Sequence, residues 1–96
     1  MSRYVLSPRA QRDLEEIWNY AAERWGAGLA ESYIRLLQQA IETVAEDPRT
    51  GRPWDEIRAG YLTYPAGSHM LLYRRVEIGI NIVRILHSRM DFEQHL

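Results

Sequence analysis

Apolar and polar residues alternate along this chain with two different periods. Leu14, Ile17, Trp18, Ala21 and Trp25 recur every three or four positions, the spacing of one helix face, while Asp13, Glu15, Glu16, Asn19 and Glu23 fall mostly on the other side. Ser7-Pro8 marks the start, since a serine hydroxyl caps free first-turn amides and proline needs no amide partner there. Gly26 and Gly28 interrupt the pattern. A second helix is predicted from about Leu29 to Ala45, with Ala30, Tyr33, Ile34, Leu37, Ala40, Ile41 and Val44 as its apolar stripe and Asp47-Pro48 as its stop. So short a break makes the pair an antiparallel helical hairpin.

The period changes after Pro48. Residues 49–60 read as a loop punctuated by Gly51, Pro53 and Gly60, with Trp54 and Ile57 as anchors to the core. Three strands are predicted next: Tyr61 to Pro65, His69 to Val76 and Ile80 to His87. Ala66-Gly67 and Glu77-Ile78-Gly79 join them, and connections this short make the strands antiparallel. With an extended piece at Tyr4 to Leu6, the order is β-α-α-β-β-β. This is an α+β architecture, a helical hairpin packed on a small, mainly antiparallel sheet.

The last strand has one complication. Strict alternation puts Ile80, Ile82, Arg84 and Leu86 on one face and Asn81, Val83, Ile85 and His87 on the other. Both faces are substantially apolar, yet two helices cover only one. Either the tail Ser88 to Leu96 folds over the second face or another protein does.

Composition narrows the classes. The 96 residues suit a single domain spanning 1–96, burying roughly 60–70% of the surface of its unfolded chain. A hydrophobic share of 46% with 26% charged residues describes a globular rather than a disordered chain. Cysteine is absent, which excludes disulfides, thiolate metal sites and cysteine nucleophiles. All 12 basic residues are Arg, so lysine Schiff-base and general-base chemistry is excluded as well. A net charge of -1 argues against nucleic-acid binding through bulk charge, but residues 1–48 carry -3 and residues 49–96 carry +2. No apolar run approaches the ~18 residues of a membrane span, and no signal peptide is visible, so the expected compartment is the cytoplasm.

Candidate chemistry is sparse. His69, His87 and His95 are far apart with no acid at a ligand interval, so no metal or cofactor is expected. Nothing in the spacing supports a triad of Ser68, His87 and Asp91. Metal-free RNA cleavage needs cations for the phosphorane, which Arg58, Arg74, Arg84 and Arg89 could supply, and proton carriers, for which Tyr73 or His87 would serve. The structural alternatives are plain: a half-buried His87 ending its strand, Arg84 paired with a helix Glu or with Asp91, and Trp18, Trp25 and Tyr33 packed inside.

Several segments together resemble one family. Tyr4-Val5-Leu6-Ser7-Pro8-Arg9-Ala10 and Asp13-Leu14-Glu15-Glu16-Ile17-Trp18-Asn19-Tyr20 look like the opening of ParE toxins, of the RelE/ParE superfamily of type II toxin–antitoxin modules. The likeness continues through Asp47-Pro48-Arg49-Thr50-Gly51-Arg52-Pro53, Ile57-Arg58-Ala59-Gly60-Tyr61, Gly67-Ser68-His69 and Leu72-Tyr73-Arg74, ending with residues 82–91. No single piece is diagnostic; their collinearity over the whole chain is.

The resemblance implies a RelE-like α+β fold and a ParD-like antitoxin that wraps and neutralises the toxin in a hetero-oligomer. That complex would repress its own operon, with DNA contacted by the antitoxin. Characterised ParE toxins trap DNA gyrase on cleaved DNA and are not known as enzymes. The RelE branch instead cuts mRNA on the ribosome with a strongly basic surface that includes lysines, and the Lys-free composition disfavours it here. The expected target-binding residues are Arg58, Arg74, Arg84, His87 and Arg89, and the expected antitoxin contacts are Leu14, Trp18, Ile80, Ile82 and Leu86. A nuclease would instead use Arg58, Arg74, Arg84 and His87.

Overall fold

The computed structural model describes residues 3–56 and 58–88. Its elements are β1 (Tyr4–Leu6), α1 (Pro8–Trp25), α2 (Ala27–Glu46), a 3-10 turn (Pro48–Thr50), β2 (Arg52–Pro53), β3 (Tyr61–Ala66), β4 (His69–Val76) and β5 (Gly79–His87). One five-stranded sheet has the order β1-β5-β4-β3-β2, with α1 packed on β5 and α2 on β3. The α+β reading and the element order therefore hold. No helix among the described residues is long and apolar enough to cross a membrane.

The helices start and break for local reasons. The Ser7 hydroxyl accepts from the Ala10 amide at 3.0 Å, as expected of an N-cap ahead of Pro8. Only Gly26 breaks the hairpin, at φ 90°, a conformation that side chains with a Cβ rarely adopt. Gly28 lies inside α2, so α2 starts two residues earlier than its apolar stripe suggests. The extended piece at Tyr4 is a true strand, running parallel to β5 with Tyr4 opposite Ile80 and Leu6 opposite Ile82. Within the predicted loop, Arg52 and Pro53 add a short edge strand, where proline's missing amide leaves no ladder bond unmade.

Ile17 of α1, Leu37, Ile41 and Val44 of α2, Leu71 and Tyr73 of β4, and Ile80, Ile82 and Ile85 of β5 meet in the core. Full burial of each aliphatic side chain stabilises the fold by about 1.5–3 kcal/mol. The spacing from Ile82 to Ile85 breaks strict alternation. Leu72 pairs with Arg84 while Tyr73 pairs with Ile82, so Val83 is an extra residue, a β-bulge. The bulge rotates Ile85, rather than Arg84, into the core.

This corrects three expected antitoxin contacts. Ile80 and Ile82 are 0% exposed and Leu86 is 1% exposed, so none offers a surface to a partner. Nor is β5 a free edge at Ile80–Ile82, where β1 and β4 flank it. Leu72, outside the helix-side cluster like Leu86, is also fully buried, so the second sheet face is not open at these positions. Apart from Ser88, the tail, one of the two candidates to cover that face, lies outside the described residues.

Tyr73 anchors the segment that follows α2. Its ring is fully buried, and its hydroxyl donates to the Pro48 carbonyl at 2.7 Å. Burial pushes the phenol's pKa up, keeping it a neutral donor. A methyl group at Gly51 would collide with this ring and hydroxyl. Gly51→Ala should therefore cost about 1–3 kcal/mol, read as a lower denaturant midpoint at unchanged slope. A variant as stable as the parent would contradict this packing.

Candidate functional site

Two concave surfaces flank α1, and α1 is positioned by its seam with β5. Strand β1 accompanies β5 only as far as Ile82. Beyond that point the start of α1 replaces the missing strand, one polar group at a time. The Ser7 amide donates to the Ile82 carbonyl at 3.0 Å, and the Ser7 hydroxyl donates to the Val83 carbonyl at 2.7 Å. Asp13, two turns on, accepts the Ile85 amide at 3.0 Å and the Arg84 guanidinium through two bonds of 2.8 Å. Ala10 and Ile17 share this helix face, and the small Ala10, 0% exposed, lets the helix approach the strand closely.

Asp13 is only 8% exposed and the Arg84 side chain 12%, so the pair is largely withdrawn from water. Hydrogen bonding to the Asp13 carboxylate holds the Arg84 pKa above the usual arginine value. This bears on two expectations. Arg84 pairs with Asp13 of α1, an aspartate where a helix glutamate was the alternative, and its guanidinium is largely committed to that carboxylate at the side of a cavity; the other alternative, Asp91, lies outside the described residues. Asp13 lies on the seam rather than on the polar face where its charge suggests, and its three-residue spacing from the buried Ala10 is the signal for that placement.

On one flank of α1, toward β1 and α2, lies a groove of about 690 Å³ lined by Leu6, Leu14, Trp18 and Ile34, with Gln11, Glu15 and Asn19 at its polar margin. Trp18 is 37% exposed there, so it is not the core residue that its helical stripe suggests. Exposed apolar surface of this kind marks an interaction site.

On the other flank, a cavity of about 710 Å³ opens between α1 and the ends of β4 and β5. Glu16, Tyr20 and Trp25 of α1, Tyr33 of α2, His69 of β4 and His87 of β5 line it, with Asp13 and Arg84 at one side. Tyr20 and Trp25 are both more than half exposed and meet edge to face with ring centres 6.0 Å apart. Trp25 is thus also a surface residue, contrary to expectation. The Tyr33 oxygen accepts the Ser68 amide at 2.9 Å and lies 2.6 Å from His69 Nδ1. Its own proton is then free for Nδ1, so the neutral imidazole is the form this bond suits. His69 and His87 pair across the strands with ring centres 5.3 Å apart. Burial, assisted by the neighbouring His87, pushes the His69 pKa below the usual imidazole range.

The remaining basic residues sit elsewhere. Arg58 lies 5.6 Å from the Tyr61 ring centre, and Tyr61 pairs with Arg74 across the sheet; both arginines are exposed. His87 faces His69, five residues along β4 from Arg74, about 17 Å away at strand spacing. Arg58, Arg74, Arg84 and His87 therefore do not converge on one site. Tyr73, the other proton carrier considered, is buried and bonded to Pro48. Arg89 falls outside the described residues. Among the described residues, no three histidine or acidic side chains are grouped to hold a metal ion.

This fold is found in chains of two solved toxin–antitoxin systems. The chain superposes on a chain of the chromosomal ParDE system from P. aeruginosa with a TM-score of 0.78 at 17% identity, covering 91% of this chain and 96% of that one. It superposes on a chain of the RelBE2 toxin–antitoxin complex from Mycobacterium tuberculosis with a TM-score of 0.62 at 23% identity, covering 91% and 98%. Residues 4–92 match the family described as the ParE toxin of the type II toxin–antitoxin system parDE, and the chain belongs to that family. It is 54% identical to Toxin ParE1 of Mycobacterium tuberculosis over 99% of this chain and 98% of that protein. Identity to Toxin ParE1 of Caulobacter vibrioides is 45%, over 100% and 99% of the two chains. Identity to Toxin ParE of Escherichia coli is 31%, over 100% and 94%.

Two measurements test the site. Asp13→Ala takes the carboxylate from a largely buried guanidinium and the acceptor from the Ile85 amide and should cost about 3–5 kcal/mol, whereas Asp13→Leu combined with Arg84→Met should recover much of the loss. Equal losses in the single and double variants would show that the pair is not what fixes α1. The second measurement is of pH dependence. Because the folded His69 pKa lies below the unfolded value of about 6.5, its stabilising contribution is complete above that pH and is lost as pH falls through the folded pKa. Thermal melts should drop on acidification below about pH 6.5, with a shallower slope in His69→Asn. Identical slopes would contradict the assignment.

Proposed function

We propose that this toxin is held inactive by a ParD-like antitoxin in the cytoplasm and, once released, acts by binding DNA gyrase rather than by catalysis. The observation that carries the reading is family membership along nearly the whole chain, with relatives named Toxin ParE1. Gyrase as the target is what the ParE resemblance implies. The separation of Arg58 and Arg74 from His87 supports a binding role, because a ribonuclease must gather its cations and proton carriers around one phosphate. The exposed Arg58–Arg74 corner and the tail's Arg89 are the proposed target contacts. Arg84 is dropped from that set because of its bond to Asp13.

The groove at Leu14 and Trp18 is the proposed antitoxin contact, and its shape suits one apolar face of an amphipathic helix. Trp18→Ala should weaken the complex by about 2 kcal/mol, measured by calorimetry with the co-encoded antitoxin. Purified toxin should abolish gyrase supercoiling and accumulate cleaved DNA complexes, and Arg58→Ala with Arg74→Ala should reduce both effects. Unimpaired supercoiling, with fresh mRNA ends after brief induction, would instead favour the RelE-like ribonuclease.

A further inference from the structure

We propose that the cavity between α1 and the ends of β4 and β5 receives a basic side chain, preferably arginine, from the antitoxin, a second contact separate from the Leu14–Trp18 groove. The choice of the antitoxin as donor rests on the preceding reading. The cavity's charge is unbalanced. Asp13 and Arg84 neutralise each other, while Glu16 has no ion-pair partner among the described residues. Of the carboxylates and guanidinium in its lining, Asp13, Glu16 and Arg84, one negative charge is left facing a space of about 710 Å³ walled by Ile17, Ala21 and Ile85.

The aromatic walls suit the same occupant. Tyr20, Trp25 and Tyr33 present π-systems that attract cations, and Arg24 already uses Tyr20 this way, 5.4 Å from the ring centre. A guanidinium stacks on such rings, bonds a carboxylate through two N–H groups, and is more weakly hydrated than an ammonium, so it enters a partly enclosed apolar space at lower cost. An anion would meet Glu16 and Asp13; an aliphatic side chain would strip water from Glu16 without replacing its hydrogen bonds.

The antitoxin is the fitting donor because one helix supplies both surfaces. Glu15 borders the groove and Glu16 the cavity, on opposite flanks of α1. A segment lying along the groove reaches the cavity by crossing one helix diameter, about 10 Å. Glu15 at the groove and Glu16 at the cavity give each flank a carboxylate to meet a basic segment.

The groups facing the occupant are Asp13, Glu16 and Tyr20 from α1, Tyr33 from α2, His69 from β4, and Arg84 and His87 from β5. Protonating His69 sets a positive charge against the one left by Glu16. Acidification therefore weakens this contact while leaving the apolar groove contact in place.

The test uses the purified chain with N-acetylarginine methylamide as probe and its neutral citrulline analogue as control, followed by Trp25 fluorescence and by the amide resonances of Glu16 and Ser68. The arginine probe should saturate these signals, and the citrulline analogue should not. Glu16→Gln, an exposed change that leaves the melting temperature unaltered, should weaken the probe about tenfold or more and weaken the co-encoded antitoxin similarly. Equal binding of both probes, or no effect of Glu16→Gln on the arginine probe, overturns the cation site. Probe binding that depends on Glu16, with antitoxin affinity unchanged in Glu16→Gln but reduced in Trp18→Ala, overturns the antitoxin as donor. If the antitoxin fails to bind the unaltered chain at all, the preceding reading fails too, and the probe still decides the cation site.

Discussion

One carboxylate ties the two layers of this protein together. Asp13 reaches from α1 to the backbone of β5 at Ile85 and to the guanidinium of Arg84, at the point where β1 has ended and β5 has no strand on the side away from β4. A bare strand edge at a buried seam carries unmet amides and carbonyls, and these are costly away from water. Ser7 and Asp13 meet them from the helix side, so α1 continues the sheet's hydrogen bonding although it is not a strand. The pair does not make the fold stable merely by being ionic, since desolvation offsets most of its attraction. Its effect is to fix where α1 lies along β5.

That placement accounts for the two concave surfaces. Seated against β5 by its Ala10–Asp13–Ile17 face, α1 directs Leu14 and Trp18 to one flank and Glu16, Tyr20 and Trp25 to the other. The first flank is closed below by Leu6 and Ile34, the second by the His69–His87 cross-strand pair and Tyr33. The Val83 bulge belongs to the same arrangement. Without the extra residue, Ile85 would leave the core and the Arg84 and Ile85 groups that meet Asp13 would change faces.

Much of this architecture is legible in the sequence because periodicity reports burial directly. The Ser7-Pro8 helix start, the hairpin around Gly26 and the bounds of β4 at His69 and Val76 all follow from spacing and turn residues. The bulge does not, because counting alternate residues assumes an uninterrupted pleat, which groups Leu86 with Ile80 and Ile82 although the extra Val83 separates them and the fold buries all three. Nor does helical spacing tell a core tryptophan from an exposed one: Trp18 and Trp25 sit on the same stripe as Ile17 and Ala21 but lie at its margins. Asp13 illustrates the converse. An acid on a helix reads as solvated until the arginine that meets it, 71 residues away in sequence, is brought beside it. The family was the most legible feature of all, because collinear fragments add up even where each is weak.

The central claim is that partner recognition belongs to the two flanks of α1 while the sheet interior is structural. Amide hydrogen exchange of the chain alone and with its co-encoded antitoxin tests this most directly. Added protection should concentrate along α1 and the facing turn of α2 around Tyr33 and Ile34, leaving Leu71–Tyr73 and Ile80–Ile82 unchanged. Protection confined to those strand segments, with α1 exchanging as in the free protein, would contradict the account.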